Sequence, residues 1–539
     1  MKYLHLILAV IIATPISLMA ATEQNNLGDL SLKNVVQITL DTSPNIKLQR
    51  LGVDLAKAQE RIEKGAFNLT TFASLTALNK LTTTMVPEDL EAKPYANPDV
   101  IEEAKTGLKP FDKYNDRDIQ SFKTGVEKAF RTGIQSRLQL RMVREDFLQG
   151  DALFDPNGIK NPTENKTDVV LEVNIPLLKG RGKVSAAGDE TAARLKRKAS
   201  QADYEFAITR QILATIRAYW NYGVSFEVLK LQQRSASRVQ NWLEQRGGDD
   251  DNLQGYLEQK RGDISDAEQS TTQARIALAN AMGIPSAEAD RLGMPSATDN
   301  FPLDWAPILE TFNLEQARRK WLETAQANRL DLRAAKLRLE SARTLVAKAR
   351  RDRLPQVDIG VSVGYQGLDY YDGFGNYVDS IHRNVRGLDY RVGINYRYPL
   401  GNDTARGILD LRQVSRQKNQ VEYNEAQRSV DLAVSNETAN VNGRLNKVVQ
   451  TRKTADSYLQ SIIKIQKSEG YLSSTTKVLT LIELETNLVE ALNDYYAALG
   501  DLANAIAKIR FETGTLLDVQ KGPAGNLTGR IDLRSLTHL

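Results

Sequence analysis

The sequence predicts a mostly α-helical chain that also carries a β-barrel, laid out as an internal two-fold repeat. Three observations predict it. One unusual segment occurs twice, from about Ser31 to Gly283 and again from about Leu314 to Gly514. Each copy reads as a heptad-patterned helix, then strands, then a much longer heptad-patterned helix that turns back on itself. The last strand of each copy ends on Pro-Leu, at Pro176-Leu177 and at Pro399-Leu400. Registered on those prolines, Val169, Leu171, Val173 and Ile175 fall on Val392, Ile394, Tyr396 and Tyr398. Glu172, Asn174, Gly393, Asn395 and Arg397 lie between them, so one face of each strand is apolar and the other wet. Strand pairs set between very long helices suggest a short barrel capping a helical tube.

The helices follow in order. The first helix of copy one places Leu48, Leu51, Leu55, Ala58 and Ile62 on one stripe. Copy two places Leu332, Ala335, Leu339, Ala342 and Val346 at a constant offset from them. The long helix of copy one carries Ile208, Ile212, Thr215, Tyr219, Tyr222, Phe226 and Leu229. Its counterpart carries Val441, Leu445, Val448, Ala455, Leu459 and Ile462, and the return helix Leu481, Leu484, Leu488, Ala491, Tyr495, Leu499, Leu502, Ile506 and Ile509. A period near 3.5 sustained this long means helix-on-helix packing with supercoiling. The helix expected from about Thr404 to Ser468 spans on the order of 100 Å at ~1.5 Å per residue.

The strand zones differ between the copies. Copy two is compact: a strand from about Gln356 to Tyr365, an aromatic loop (GLDYYDGFGNYVDS) and the return strand. Copy one starts near Asn68 to Leu78 and makes a longer excursion. Within it Phe122, Thr124, Val126 and Phe130 alternate, Arg131-Thr132-Gly133 turns the chain, and Ile134, Ser136, Leu138, Leu140 and Met142 alternate again. This is an extra hairpin, which keeps the strand count even. Two placements for it stay open, in the barrel wall or projecting beyond it. Residues 82–115 read as surface loop.

The resulting organisation is a secretory signal over residues 1–21, a first repeat over 22–283, a Pro-rich linker over 284–313, a second repeat over 314–514 and a loosely packed tail over 515–539. The signal rests on Lys2 and His5, the apolar run Leu6 to Ile12, Pro15 and a cleavage site near Ala20 or Ala21. The run is too short to span a bilayer. Beyond it no stretch of 18 apolar residues occurs, so a membrane role must come from alternating strands.

Composition excludes several functions. With 71 basic and 67 acidic residues the net charge is +4, and no basic stripe with interleaved aromatics calls for nucleic acid. There is no cysteine and there are three histidines, so no soft or imidazole metal cluster can assemble and no disulfide can form. LLKGRGKVS lacks the spacing of a phosphate loop, and the acidic residues of DYYDGFGNYVD miss the calcium-loop register. No catalytic set stands out, and no cofactor is implied.

Taken together the elements resemble the TolC-like outer-membrane efflux protein family. RLDLRAAKLRLESARTLVAKARRDRLPQVDIGVSVGY, the strand endings VNIPLLKGRG and YRYPLGND, and GYLSSTTKVLTLIELETNLVEALNDYYAALGDLANA carry the resemblance. It implies a homotrimeric α/β-barrel duct, with strands in outer-membrane lipid and long periplasmic coiled-coil helices. It also implies a periplasmic adaptor protein and an inner-membrane pump of the RND or ABC type. Drug efflux and protein secretion are both compatible with it.

The family's periplasmic gate lies where the helices turn, and the matching tyrosine is Tyr471. Its two acidic positions in the second copy match Thr480 and Glu483, so one carboxylate is kept, and its arginine falls on Thr476 beside Lys477. At the first copy's turn, RGGDDDN sets Asp249, Asp250 and Asp251 near the entrance. An acidic collar and a solvated turn built on Gly247-Gly248 are both open readings. The rival from another class is a pore-less periplasmic coiled-coil scaffold or a surface adhesin, which gives the paired strands no role.

Overall fold

The computed structural model describes residues 30–83, 114–147, 163–295, 313–369, 375–382, 388–467, 472, 474–521 and 527–530. The predicted signal, Tyr471 and most of the 82–115 loop lie outside them. The chain divides into two units. A helical unit takes Met1–Lys47, Ala207–Arg329 and Val430–Leu539, and a sheet unit takes Leu48–Phe206 and Leu330–Ser429. Each unit draws on both repeats, because the long helices α4 (Gly188–Gln245) and α9 (Asp403–Gln466) contribute to both.

In the sheet unit six described strands form one antiparallel sheet in chain order. They are β1 (Leu69–Thr83), β2 (Tyr114–Ala129), β3 (Gln135–Phe147), β4 (Thr163–Pro176), β5 (Gln356–Asp369) and β6 (Leu388–Arg397). The extra hairpin is therefore part of the sheet. β2 pairs with β1 from Lys128↔Leu69 to Tyr114↔Thr83, and β3 pairs with β4 from Gln135↔Asn174 to Asp146↔Thr163. Register places Leu75, Phe122, Met142, Leu140, Val169, Tyr365, Val363, Tyr390 and Val392 on one face. That apolar face runs across all six strands, and several of its side chains are exposed. β1 and β6 are its edges, and every residue of β6 is exposed.

The aromatic loop between β5 and β6 is not wholly loop. It holds the short helix α8 (Gly375–His382), which folds back on the strands. The Tyr365 hydroxyl donates to the Ile381 carbonyl at 2.7 Å, and the Ser380 hydroxyl donates to Thr167 at 2.8 Å. Such tertiary hydrogen bonds stabilise a segment too short to be helical alone.

Beside the sheet lie most of α2 (Pro44–Gly65), α3 (Gly182–Ala186), the first turns of α4, α7 (Leu330–Asp352) and the start of α9. The two matched stripes behave differently. On α7, Leu332, Leu339, Ala342 and Val346 are buried, with Ala334 against Ala199 and Ala202 of α4, and Val346 and Ala349 against Leu409 of α9. On α2 the stripe expected to pack is open: Leu48 is 65% exposed, Leu51 59%, Leu55 73% and Ile62 66%. The helix instead buries Val53 and Glu60, and Glu60 pairs with Arg197 and with Lys64. A heptad period specifies an apolar face, but the partner for this one is not among the described residues of the same chain. Ile408, Leu411, Val414 and Val421 of α9 are likewise exposed.

The helical unit contains α1 (Leu32–Thr42), the rest of α4, α5 (Asp251–Met282), α6 (Leu314–Asn328), the rest of α9 and α10 (Thr475–Glu512). Here most of the predicted stripe residues are buried, with Leu459 exposed. Val441, Leu445 and Val448 of α9 pack with Tyr495, Leu499, Leu502, Ile506 and Ile509 of α10, and with Trp321 of α6. The repeat also shows in its stops. Gly283 after α5 and Gly514 after α10 both have positive φ, 80° and 72°. Gly283 lies against Ser43, where α1 gives way to α2, and Gly514 lies against Asn328, where α6 gives way to α7. A side chain at either glycine would collide with backbone and strain φ. The linker holds a 3-10 turn, Ser286–Arg291, and the tail forms a hairpin, β7 (Asp518–Lys521) with β8 (Leu527–Arg530), beside α1 rather than loose.

Candidate functional site at the helix turns

The helix ends meet in one apolar cluster of the helical unit. Val239, Trp242 and Leu243 of α4, Leu253, Tyr256 and Leu257 of α5, Ile462 of α9, and Val478, Leu481 and Leu488 of α10 form it. The structure thus brings the turn after α4 and the turn before α10 together.

The three aspartates of the first turn have different jobs. Asp250 is buried and caps α5: its carboxylate accepts from the backbone N–H of Asn252 and Leu253, both at 3.1 Å. Its other oxygen pairs with Arg246 at 2.7 Å. That is the arrangement expected of a helix N-cap, with orphan N–H groups satisfied by an anion at the positive end of the helix. Asp249 and Asp251 are exposed and leave their charge toward solvent. Among the three, these two are the members free to form a collar.

Arg246, which sequence reasoning passed over, joins the turns. Besides pairing with Asp250, its guanidinium donates to the Leu472 carbonyl at 2.7 Å. On the second turn Ser474 caps α10 by accepting from the Lys477 N–H at 3.3 Å. Thr480 is exposed, and its hydroxyl donates to the Thr476 carbonyl at 2.9 Å, while Glu483 is exposed. Lys477 is half-buried. Tyr471 lies outside the described residues.

A second unforeseen group lies two residues beyond Glu483. Glu485 is completely buried, accepting from the Ser235 hydroxyl at 2.6 Å and from the Arg238 guanidinium at 2.5 Å. It ties α10 to α4 just above the turns. The signal was available: steps of four and three from Leu481 through 485 to Leu488 put a carboxylate on a core position of the heptad. Nearby, Thr486 donates to the Tyr256 hydroxyl at 3.0 Å. Burial pushes the Tyr256 phenol up, against the hydrogen bond from Thr486. These groups position helices; they do not form a nucleophile with a base. Among the described residues no helix is long and apolar enough to cross a membrane.

The pattern of the family described as "Outer membrane efflux protein" matches residues 321–515, which is most of the second repeat. "Outer membrane protein TolC" of Salmonella enteritidis is 23% identical over 397 residues, covering 69% of this chain and 73% of that one. The fold is similar to that of the Campylobacter jejuni CmeC outer membrane channel, with a TM-score of 0.53 and 13% identity over 90% of this chain and 85% of that one. It is also similar to the open state of the Neisseria gonorrhoeae MtrE outer membrane channel, with a TM-score of 0.54 and 16% identity over 92% and 93% of the two chains. The repeat, the alternating sheet and the meeting helix turns thus occur on one chain that is similar to TolC-like outer-membrane efflux proteins, in sequence over its second repeat and in fold over most of its length.

Proposed function

We propose that the chain is a passive exit duct of the outer membrane, serving a tripartite efflux or type I secretion system. The observation that carries this is the sheet: six described strands, with an apolar band running across one face and both edges unpaired among the described residues. An isolated sheet with two long bare edges is not stable in a bilayer, where every backbone N–H and C=O needs a partner. Joining β6 of one copy to β1 of the next removes both edges, and a homotrimer closes the ring. The open stripes of α2 and of α9 supply the matching helical surfaces, each apolar and each exposed in the single chain.

Energy for transport comes from elsewhere. A periplasmic adaptor and an inner-membrane pump are the partners, and no catalytic role falls to this chain. Residues 1–21 are removed as a signal, and the linker joins the two repeats. Asp249, Asp251, Lys477, Thr480 and Glu483 line the entrance with Tyr471, and Asp250 holds the turn that presents them. Opening is a shift of population: an adaptor that binds the open form of the turns more tightly favours it.

The absence of cysteine makes the test direct. Asn376→Cys and Asp249→Cys are each exposed to a membrane-impermeant maleimide on intact cells. Labelling at 376 alone, with 249 reacting only after the outer membrane is opened, is the expected result. If neither position reacts until the membrane is opened, the scaffold reading replaces the duct.

A further inference from the structure

The strand count carries a consequence of its own. Among the described residues copy two contributes β5 and β6, whereas copy one contributes β1 and β4 with the β2–β3 hairpin between them. We infer that this hairpin is a wall segment of the assembled barrel, so that three copies close a ring of eighteen strands with a correspondingly wide lumen. This rests on the three-copy duct proposed above.

Four observations support it. The hairpin separates β1 from β4 along their lengths, pairing with each over more than ten residues. At 16 and 13 residues, β2 and β3 exceed the ~9–11 needed to cross a bilayer as tilted strands. Its faces continue those of its neighbours. Phe122, Val126, Leu138, Leu140 and Met142 lie in register with Leu75, Leu171 and Val169 on the apolar face. On the opposite face Glu127, Arg137, Arg141, Asp168 and Glu172 form a charged ladder. There Arg137 pairs with Glu127 at 3.0 Å and lies 3.9 Å from Glu172, and Arg141 pairs with Asp168. Such a ladder fits a watery lumen and not lipid.

The hairpin's turn is also built into the sheet unit. Phe130 and Gly133 close it with hydrogen bonds of 2.8 Å, from Phe130 N–H to the Ile134 carbonyl and from Gly133 N–H to the Phe130 carbonyl. Gly133 takes φ +95°, the left-handed residue of a short hairpin loop. The Gly182 N–H donates to the Thr132 carbonyl at 2.8 Å. Arg131 forms a two-pronged pair with Glu190 of α4 at 2.7 and 2.8 Å, and its guanidinium lies 4.9 Å from the centre of the Phe67 ring. A hairpin projecting beyond the wall would need none of these ties.

Geometry sets the size. With strands ~4.8 Å apart and tilted by ~40°, eighteen strands close at a backbone radius of about 18 Å, and twelve at about 12 Å. Allowing about 5 Å for inward side chains, the lumen radius is about 13 Å against about 7 Å. The hairpins thus enlarge the barrel's open area roughly threefold, enough to pass bulky solutes or a polypeptide with local structure.

The test uses the full chain in outer-membrane vesicles, with single cysteines at neighbouring hairpin positions. Gln139→Cys is expected to react with a hydrophilic maleimide. Leu140→Cys is expected to resist it and to react with a lipid-soluble one. Equal reaction of both with the hydrophilic reagent overturns the wall assignment, while trimeric pores in the same vesicles would leave the duct reading intact. A second variant lacking residues 115–147 tests the width through exclusion of graded polyethylene glycols added from the outer side. The excluded radius should fall by about half on deletion; an unchanged cut-off overturns the inference. Should the deleted chain fail to assemble, the cysteine pair still decides it.

Discussion

The open stripe of α2 makes a quantitative prediction about assembly. The perturbation is Leu51→Ala with Leu55→Ala. In the single chain these side chains are 59% and 73% exposed, so truncating them removes little that holds the chain itself together. Full burial of a leucine contributes ~1.5–3 kcal/mol, and with about two thirds of each still open, covering by another copy adds ~1–2 kcal/mol per side chain. Losing both, with no repacking to fill the space, costs about 2–4 kcal/mol at each interface, and about 6–12 kcal/mol around a ring of three. The assay is the temperature at which the detergent-extracted trimer dissociates, read by gel mobility and by light scattering. A drop of many degrees is expected, with far-UV helicity of the chain retained. Unchanged dissociation would refute the assignment of this stripe to an interface between copies. Loss of helicity before dissociation would show that the stripe packs within the chain.

Further outcomes follow from individual residues. Gly133→Ala forces a side chain into a left-handed backbone and onto the Gly180 carbonyl, costing about 2 kcal/mol or more; the strand signal should melt earlier, and an unaltered melt would remove the tight turn from the account. Glu485→Leu leaves Arg238 without its carboxylate. A loss of about 2–4 kcal/mol, discounted because Arg238 is about one third exposed, should appear as faster amide exchange in residues 478–488. Asp249→Asn, Asp251→Asn and Glu483→Gln should each lower the cation preference of single channels. Asp250→Asn should chiefly loosen the turn, by about 1 kcal/mol, and recordings with unchanged selectivity in the first three variants would dismiss the collar. Burial pushes the Glu437 carboxyl up, against its hydrogen bond from Asn440, so the folded state holds that proton more tightly than the unfolded one. Stability contributed here is therefore lost as pH rises from the usual carboxylate range through the raised folded value. Glu437→Gln should flatten that slope in a urea titration, and an unchanged slope would assign it to other groups.

What was legible in the sequence was whatever is periodic. The 3.5-residue spacing located α4, α9 and α10, and their stripes of Ile208, Leu445 and Leu502 are buried as read. Two-residue alternation located the strands, including the hairpin around Gly133. Neighbours were less legible. Alternation assigns Leu140 to a face without naming the strand beside it, so membership of the hairpin in the sheet emerged only from its register with β1 and β4. Likewise the α2 stripe reads as a packing face, although its partner is absent from the chain's own described residues. At the turns, RGGDDDN reads as three equivalent charges, and only the fold separates Asp250, spent on a cap, from Asp249 and Asp251. Arg246 and Ser235 fall on none of the periodic stripes; their roles depend on backbone and side-chain atoms more than two hundred residues away.

The bare edges of the sheet bear on the life of the chain before assembly. β6 is exposed along its whole length, and Tyr390, Val392, Ile394 and Tyr396 make it a good template for any extended peptide. A lone copy is thus as ready to add a foreign strand as a sister one. In the proposed trimer its stability depends on how many sisters are present, since association and the last stage of folding are then one event with a concentration dependence. Cells that make this protein must keep the interval between export and ring closure short, or hold the edges covered meanwhile. Slow synthesis should therefore raise the fraction lost to aggregation or proteolysis, a kinetic cost set by the two strands whose outer edges are unpaired among the described residues.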